Sequence, residues 1–119
     1  MSTPEPAEHD LDCYRGVDFE FTFSMTEDDI NVDFTDAAVW LVVYGDQVKT
    51  LDPVLILATD SGEITIENGG FQISARYPAA ETEQLETDQH IYDLDVGFSN
   101  GKRWRIFTGR FIVHPGNLA

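Results

Sequence analysis

The sequence predicts an all-β protein, an antiparallel immunoglobulin-like β-sandwich of seven to eight strands with one short helical turn near residues 79–85. Three observations carry that expectation. Apolar residues recur every second position in short runs, turn-forming clusters separate those runs at intervals of about 8 to 12 residues, and no strand–helix–strand alternation interrupts them. With 119 residues, 42% of them hydrophobic, the chain can bury one core and not two.

The first ten residues contain Pro4 and Pro6, so residues 1–12 are expected to form a flexible arm, followed by a sandwich over 13–115 and a tail over 116–119. In residues 18–25, Phe19, Phe21, Phe23 and Met25 alternate with polar neighbours, the pattern of a half-buried strand. Glu27, Asp28 and Asp29 form a polar turn, after which Ile30, Val32 and Phe34 alternate with Asn31 and Asp33. Residues 37–44 are nearly all apolar, as in a central strand, and residues 54–58 form another after Pro53. Residues 63–67 and 71–76 flank Asn68, Gly69 and Gly70, a hairpin signal with a loop longer than two residues. Pro78 opens the helix-capable stretch, which is too short to stand alone. In residues 90–98, Tyr92, Leu94, Val96 and Phe98 take one face, and Asp93 and Asp95 the other. A turn at Ser99, Asn100 and Gly101 leads into residues 102–107, and Gly109 is expected to form a bulge before residues 110–113.

Seven Lys and Arg against 22 Asp and Glu give a net charge of −15. That field repels phosphate and anionic lipid, so neither nucleic acid nor a membrane is expected as a partner. No apolar run approaches the roughly 18–20 residues of a membrane span, and the first ten residues lack the pattern of an export signal, so synthesis in the cytoplasm is expected. The acids are spread along the chain. Two readings fit: a salt-rich habitat, where a Debye length of about 3 Å at 1 M screens self-repulsion, or solubility under dense packing. The single cysteine, Cys13, excludes an intramolecular disulfide and a cysteine metal cage and reads as a small apolar residue.

Asp29, Asn31 and Asp33 have the spacing of the first ligands of a calcium loop, yet Phe34 stands where the loop needs glycine and Trp40 where it needs a closing glutamate. Calcium is not expected, and these residues read as the solvated face of a strand. Asp93 and Asp95 share a strand face, where a solvated pair is the simpler reading than an acid–base pair. His9, His90 and His114 read as terminal decoration, with no spacing that joins two on one metal. No nucleophile elbow, phosphate loop or Cys/His pairing is present, so no catalytic residue, cofactor or metal is expected. The informative asymmetry is basic: Lys102, Arg103, Arg105 and Arg110 cluster around Trp104. They could neutralise Asp93 and Asp95 on an adjacent strand, at about 0.2–1 kcal/mol per pair. Alternatively, they form a docking edge for an acidic partner, anchored by Trp40 or Trp104.

Several phrases resemble a short β-rich module of tailed-bacteriophage structural proteins, similar to the N-terminal domain of baseplate upper proteins and to small tail proteins. Arg15, Gly16, Val17, Asp18 and Phe19 resemble its opening Arg-Gly-Asp-aromatic phrase, with Val17 interposed. Residues 32–39 resemble its Asp-Leu-Thr-Gly-Ala-x-Val phrase, with Asp36 in place of the glycine. Residues 71–75, 78–85, 91–96 and 109–115 extend the likeness over about residues 14–115. The resemblance implies a non-enzymatic virion structural protein, an assembly or adaptor module of the tail, baseplate or fibre attachment. It also implies other virion proteins as partners, in multiple symmetric copies. A capsid decoration or cement protein is the first alternative. A carbohydrate-binding sandwich using Tyr44, Tyr92 or Trp104 is the second, although alternation assigns Tyr92 to the core.

Overall fold

The computed structural model describes residues 6–45 and 53–116. Its first strands are β1 (Ala7–Glu8), β2 (Leu11–Tyr14), β3 (Phe19–Phe23), β4 (Thr26–Glu27), β5 (Ile30–Asn31) and β6 (Ala38–Tyr44). After them come β7 (Pro53–Ala58), β8 (Ile64–Glu67), β9 (Gln72–Tyr77), the helical turn α1 (Ala79–Thr82), β10 (Asp88–Gly97) and β11 (Arg103–His114). The architecture is an all-β sandwich. One sheet has the order β1-β11-β10-β6-β7 with β2 also on β11, the other has β3-β9-β8, and β4 with β5 makes a small hairpin.

Period-two patterning explains which side chains meet between the sheets. Along β6, Val39, Leu41 and Val43 are buried while Trp40, Val42 and Tyr44 keep partial exposure. Phe19 and Phe23 of β3 meet Ile73 and Ala75 of β9, and Tyr92, Leu94 and Val96 of β10 complete the core from the large sheet. Aromatic rings run through it in edge-on and stacked contacts: Phe107 on Phe23 at 5.0 Å, Phe34 on Phe98 at 6.0 Å and Phe98 on Trp104 at 4.8 Å. Each such pair adds about 0.5–1.5 kcal/mol beyond the area it buries. The β4–β5 hairpin turns through Asp28 and Asp29, both with positive φ (54° and 63°), the left-handed pair that a two-residue hairpin requires.

Two expectations need correction. Residues 7–12 were expected in a flexible arm, but β1 and β2 pair in parallel with β11, Ala7 with Phe107 and Leu11 with Phe111. Leu11 and Cys13 alternate inward and are buried, which anchors the strand, and the pairing gives an otherwise antiparallel sheet a parallel edge. Residues 1–5 of the arm and 117–119 of the tail lie outside the described residues. The second correction concerns the bulge. Gly109 pairs in register with Tyr92, whereas the extra residue is Ile106, between the pairs Arg105–Asp95 and Phe107–Leu94.

Gly109 has a different task, set by the break between β1 and β2. A Cβ there would stand 2.5 Å from the His9 carbonyl oxygen. That carbonyl accepts a hydrogen bond from the buried Tyr92 hydroxyl, the His9 N–H donates to the Thr108 carbonyl at 2.9 Å, and the Arg110 N–H donates to Asp10 Oδ1 at 3.0 Å. Gly109→Ala is therefore expected to lower stability by about 2–3 kcal/mol in urea unfolding. An unchanged midpoint would show that the chain can shift there without cost.

Burial also pushes the Cys13 thiol up to about 11 from its ordinary value of 9.0. The folded state holds that proton more tightly, so the contribution is complete below about pH 9 and is lost as pH rises through about 11. Alkylation of Cys13 by iodoacetamide at neutral pH is expected to track global unfolding in urea. Rapid labelling of the native protein would contradict the buried placement.

Candidate functional site: the outer face of the large sheet

Four strands of the large sheet present side chains away from the core, and register places them in rows. Ile56 of β7 lies beside Val42 of β6, then Asp93 of β10 and Thr108 of β11. The next row runs from Ala58 through Trp40 and Asp95 to Arg105, and a third from Ala38 through Gly97 to Arg103. Between the rows lies a shallow depression of about 550 Å³ lined by Trp40, Val42, Tyr44, Ile56, Arg103 and Arg105, among others.

Its charged half is internally satisfied. Arg105 makes a two-pronged contact with Asp95, Nε to Oδ1 at 2.8 Å and Nη2 to Oδ2 at 3.2 Å, and its Nη1 stands 3.7 Å from Asp93 Oδ2. Asp93 also accepts a hydrogen bond from the Thr108 hydroxyl at 3.0 Å. The hydrogen bond to Asp95 holds the Arg105 guanidinium above its ordinary value, with Asp93 and Asp95 adding charge attraction. Asp93 is 2% exposed, so it is not the solvated strand residue that alternation alone implies. The neighbours Val42 and Thr108 flank it in its own row, and the guanidinium of Arg105 reaches it from the next.

The apolar half is built on a glycine. Gly97 leaves room for the Trp40 indole on the neighbouring strand, since a Cβ at Gly97 would come within 3.2 Å of two of its ring carbons. The Arg103 guanidinium, from the strand beyond Gly97, sits 4.6 Å from the ring centroid. A cation over an indole contributes about 0.5–1 kcal/mol at such exposed positions.

The five residues singled out in the sequence part company. Arg103 and Arg105 share the outer face with Trp40, and Arg110 pairs with Asp10 at 3.5 Å farther along β11. Trp104 faces inward opposite Val96, is 7% exposed and packs edge-on against Phe98, so it is a core residue and not an exposed anchor. Lys102 sits in the turn before β11, beside a second groove of about 350 Å³ between the β4–β5 hairpin and Phe98. Tyr92 is fully buried, which removes it as a sugar platform.

The histidines and the acidic run also resolve. His114 contacts Asp12 at 2.8 Å and stacks on Tyr14, His9 stacks on Phe21, and His90 is buried rather than decorative because its strand position turns inward. Asp33 accepts from the Thr35 N–H and hydroxyl, bonds that hold its carboxyl below the ordinary range, while Asp28 and Asp29 form the hairpin turn. Among the described residues, no group of three or more His, Cys, Asp or Glu side chains is placed to hold a metal.

No protein-family model matches the chain, and a search of curated proteins finds no relative. The outer face is therefore read from its own chemistry. Arg105→Gln is expected to cost about 1–3 kcal/mol, because the buried Asp93 loses its cation. Adding Asp93→Asn to that variant should recover part of the loss, with a coupling above about 0.5 kcal/mol in a double-mutant cycle. Additive effects would mean that the two residues do not act together.

Proposed function

We propose that this chain is a non-enzymatic structural module of a tailed-virus particle, an assembly or adaptor unit of the tail, baseplate or fibre attachment. The outer face of the large sheet docks on neighbouring subunits. The observation that carries this reading is the coincidence, on one face, of partly exposed Trp40, Val42 and Tyr44 with exposed Val54 and Ile56, next to a carboxylate pair that shares the Arg105 guanidinium. In a chain of net charge −15, such a face meets a partner with little desolvation of unpaired charge. Trp40 is its aromatic anchor, given room by Gly97 and covered by the Arg103 guanidinium.

The resemblance of residues 14–115 to phage tail modules supports the virion setting, and the phrases that carry it fall on strands and turns of the sandwich. Assembly in symmetric copies lets weak contacts suffice through avidity. A capsid decoration protein would use the same face, and location in the particle separates the two.

The test is peptide mass spectrometry of purified virus particles from the source, with heads and tails separated before digestion. Recovery with tails, lost on Trp40→Ala in a complemented particle, is the expected result. Recovery with heads alone would replace the tail reading with decoration, and absence from both fractions would overturn the virion reading.

A further inference from the structure

The large sheet ends at β7, and among the described residues no strand pairs with its other side. The polarity of that open side follows from two hydrogen bonds. The Thr59 N–H donates inward to the Val39 carbonyl at 3.1 Å, while the Ala58 N–H turns away from β6 and donates to Glu63 Oε1 at 3.3 Å. Backbone groups alternate along a strand, so Leu57 and Leu55 bond to β6, and the Ile56 N–H and C=O and the Val54 C=O point off the edge. The Ala58 N–H is thus closed by Glu63, and among the described residues neither the N–H nor the C=O of Ile56 has a strand partner on that side.

Side chains set β7 apart from the other sheet edges. Four other strands lie at edges of the two larger sheets: β1 carries Glu8, β2 Asp12, β3 Glu20 and β8 Glu67, while the two-residue strands β4 and β5 of the small hairpin flank Asp28 and Asp29. A carboxylate on an edge is the usual guard against unwanted pairing. β7, with the sequence Pro-Val-Leu-Ile-Leu-Ala, has no charge at all, and its outward side chains Val54 and Ile56 are 49% and 52% exposed. Pro53 blunts one end only.

We infer that β7 is a self-association edge, and that its partner is the β7 of a second copy of this chain, antiparallel about a two-fold axis close to Ile56. A strand running antiparallel to its own copy meets like with like: open N–H and C=O groups face open C=O and N–H groups, and Val54 and Ile56 form one apolar strip with their counterparts. Charge selects this edge. Two copies of net charge −15 repel, and pairing through β1, β2, β3 or β8 would bring carboxylates together, whereas pairing through β7 would not. The paired sheets would also join the two outer faces into one surface. The inference stands apart from the virion reading, since it concerns the isolated chain.

The test is sedimentation equilibrium of the full chain across protein concentration, at about 0.1 M and about 1 M NaCl. A monomer–dimer equilibrium that tightens with salt is expected, because screening weakens the repulsion between copies. Ile56→Lys is expected to weaken the dimer at least about tenfold, the loss of about 1.4 kcal/mol in association. Ile56→Pro should do the same by removing the outward N–H, with circular dichroism confirming that the fold is kept. Ile30→Lys, at the most exposed apolar residue of the distant hairpin, should leave the dimer unchanged. In hydrogen exchange on the unmodified chain, the Ile56 amide should gain protection with concentration, while the Leu57 amide stays protected throughout. A chain that remains monomeric to about 1 mM in about 1 M salt would overturn the inference. So would a dimer sensitive to Ile30→Lys and indifferent to Ile56→Lys, or a dimer in which the Ile56 amide exchanges freely.

Discussion

The extra residue that β11 carries at Ile106 sets the two faces of the molecule. Strand β11 begins with its even positions inward, Trp104 and Ile106, and ends with its odd positions inward, Phe107, Phe111 and Val113. A regular strand cannot do both, because side chains alternate with a period of two. The bulge shifts the phase once, so that Arg103 and Arg105 before it and Arg110 after it all reach the outer surface. Without it, keeping Trp104 and Ile106 inward would drive Arg110 into the core and Phe111 and Val113 out of it.

That phase shift also places the chemistry of the outer face. Arg105 lies in the row of Asp95 and reaches Asp93 in the next, so one guanidinium serves two carboxylates, one of them buried. Such a cluster contributes less to stability than its geometry invites, since removing ions from water costs several kcal/mol each. Its larger effect is on what the surface presents. The basic cluster evident in the sequence is largely consumed within the molecule, by Asp93 and Asp95 on one side and by Asp10 on the other. What faces outward is an indole, three aliphatic side chains and a tyrosine beside an internally paired charge cluster, and the proposed assembly role rests on that composition.

The edges follow the same economy of charge. At the β11 side the sheet is closed by β1 and β2, locked by the His9 carbonyl, the Tyr92 hydroxyl and the missing side chain of Gly109. At the other side β7 presents an uncharged ladder. Of the edges of the two larger sheets, β7 alone carries no charge, so backbone pairing there meets the least electrostatic penalty, and the proposed self-association grows from that asymmetry.

The sequence by itself determined the β class, the strand order along the chain, the inward set Phe19, Phe23, Leu94 and Val96, and the turns, because these depend on period-two burial and on residues that tolerate positive φ. The pairing of Arg105 with Asp93 and Asp95 was also legible as one of two readings, since both lie on adjacent runs. Three features were decided only in three dimensions. The N-terminal strand looked like an arm because Leu11 and Cys13 are too few to signal a strand until β11 offers them a ladder. Gly109 signalled a bulge, but the space it leaves is filled by the His9 carbonyl, a contact about one hundred residues away in sequence. Of the two tryptophans offered as anchors, Trp40 and not Trp104 reaches the outer face, because the inward phase before Ile106 belongs to even positions and Gly97 leaves room for the Trp40 indole. Local periodicity fixes which side chains share a face. Which strand lies beside that face, and hence what each side chain touches, is set by pairings between distant segments.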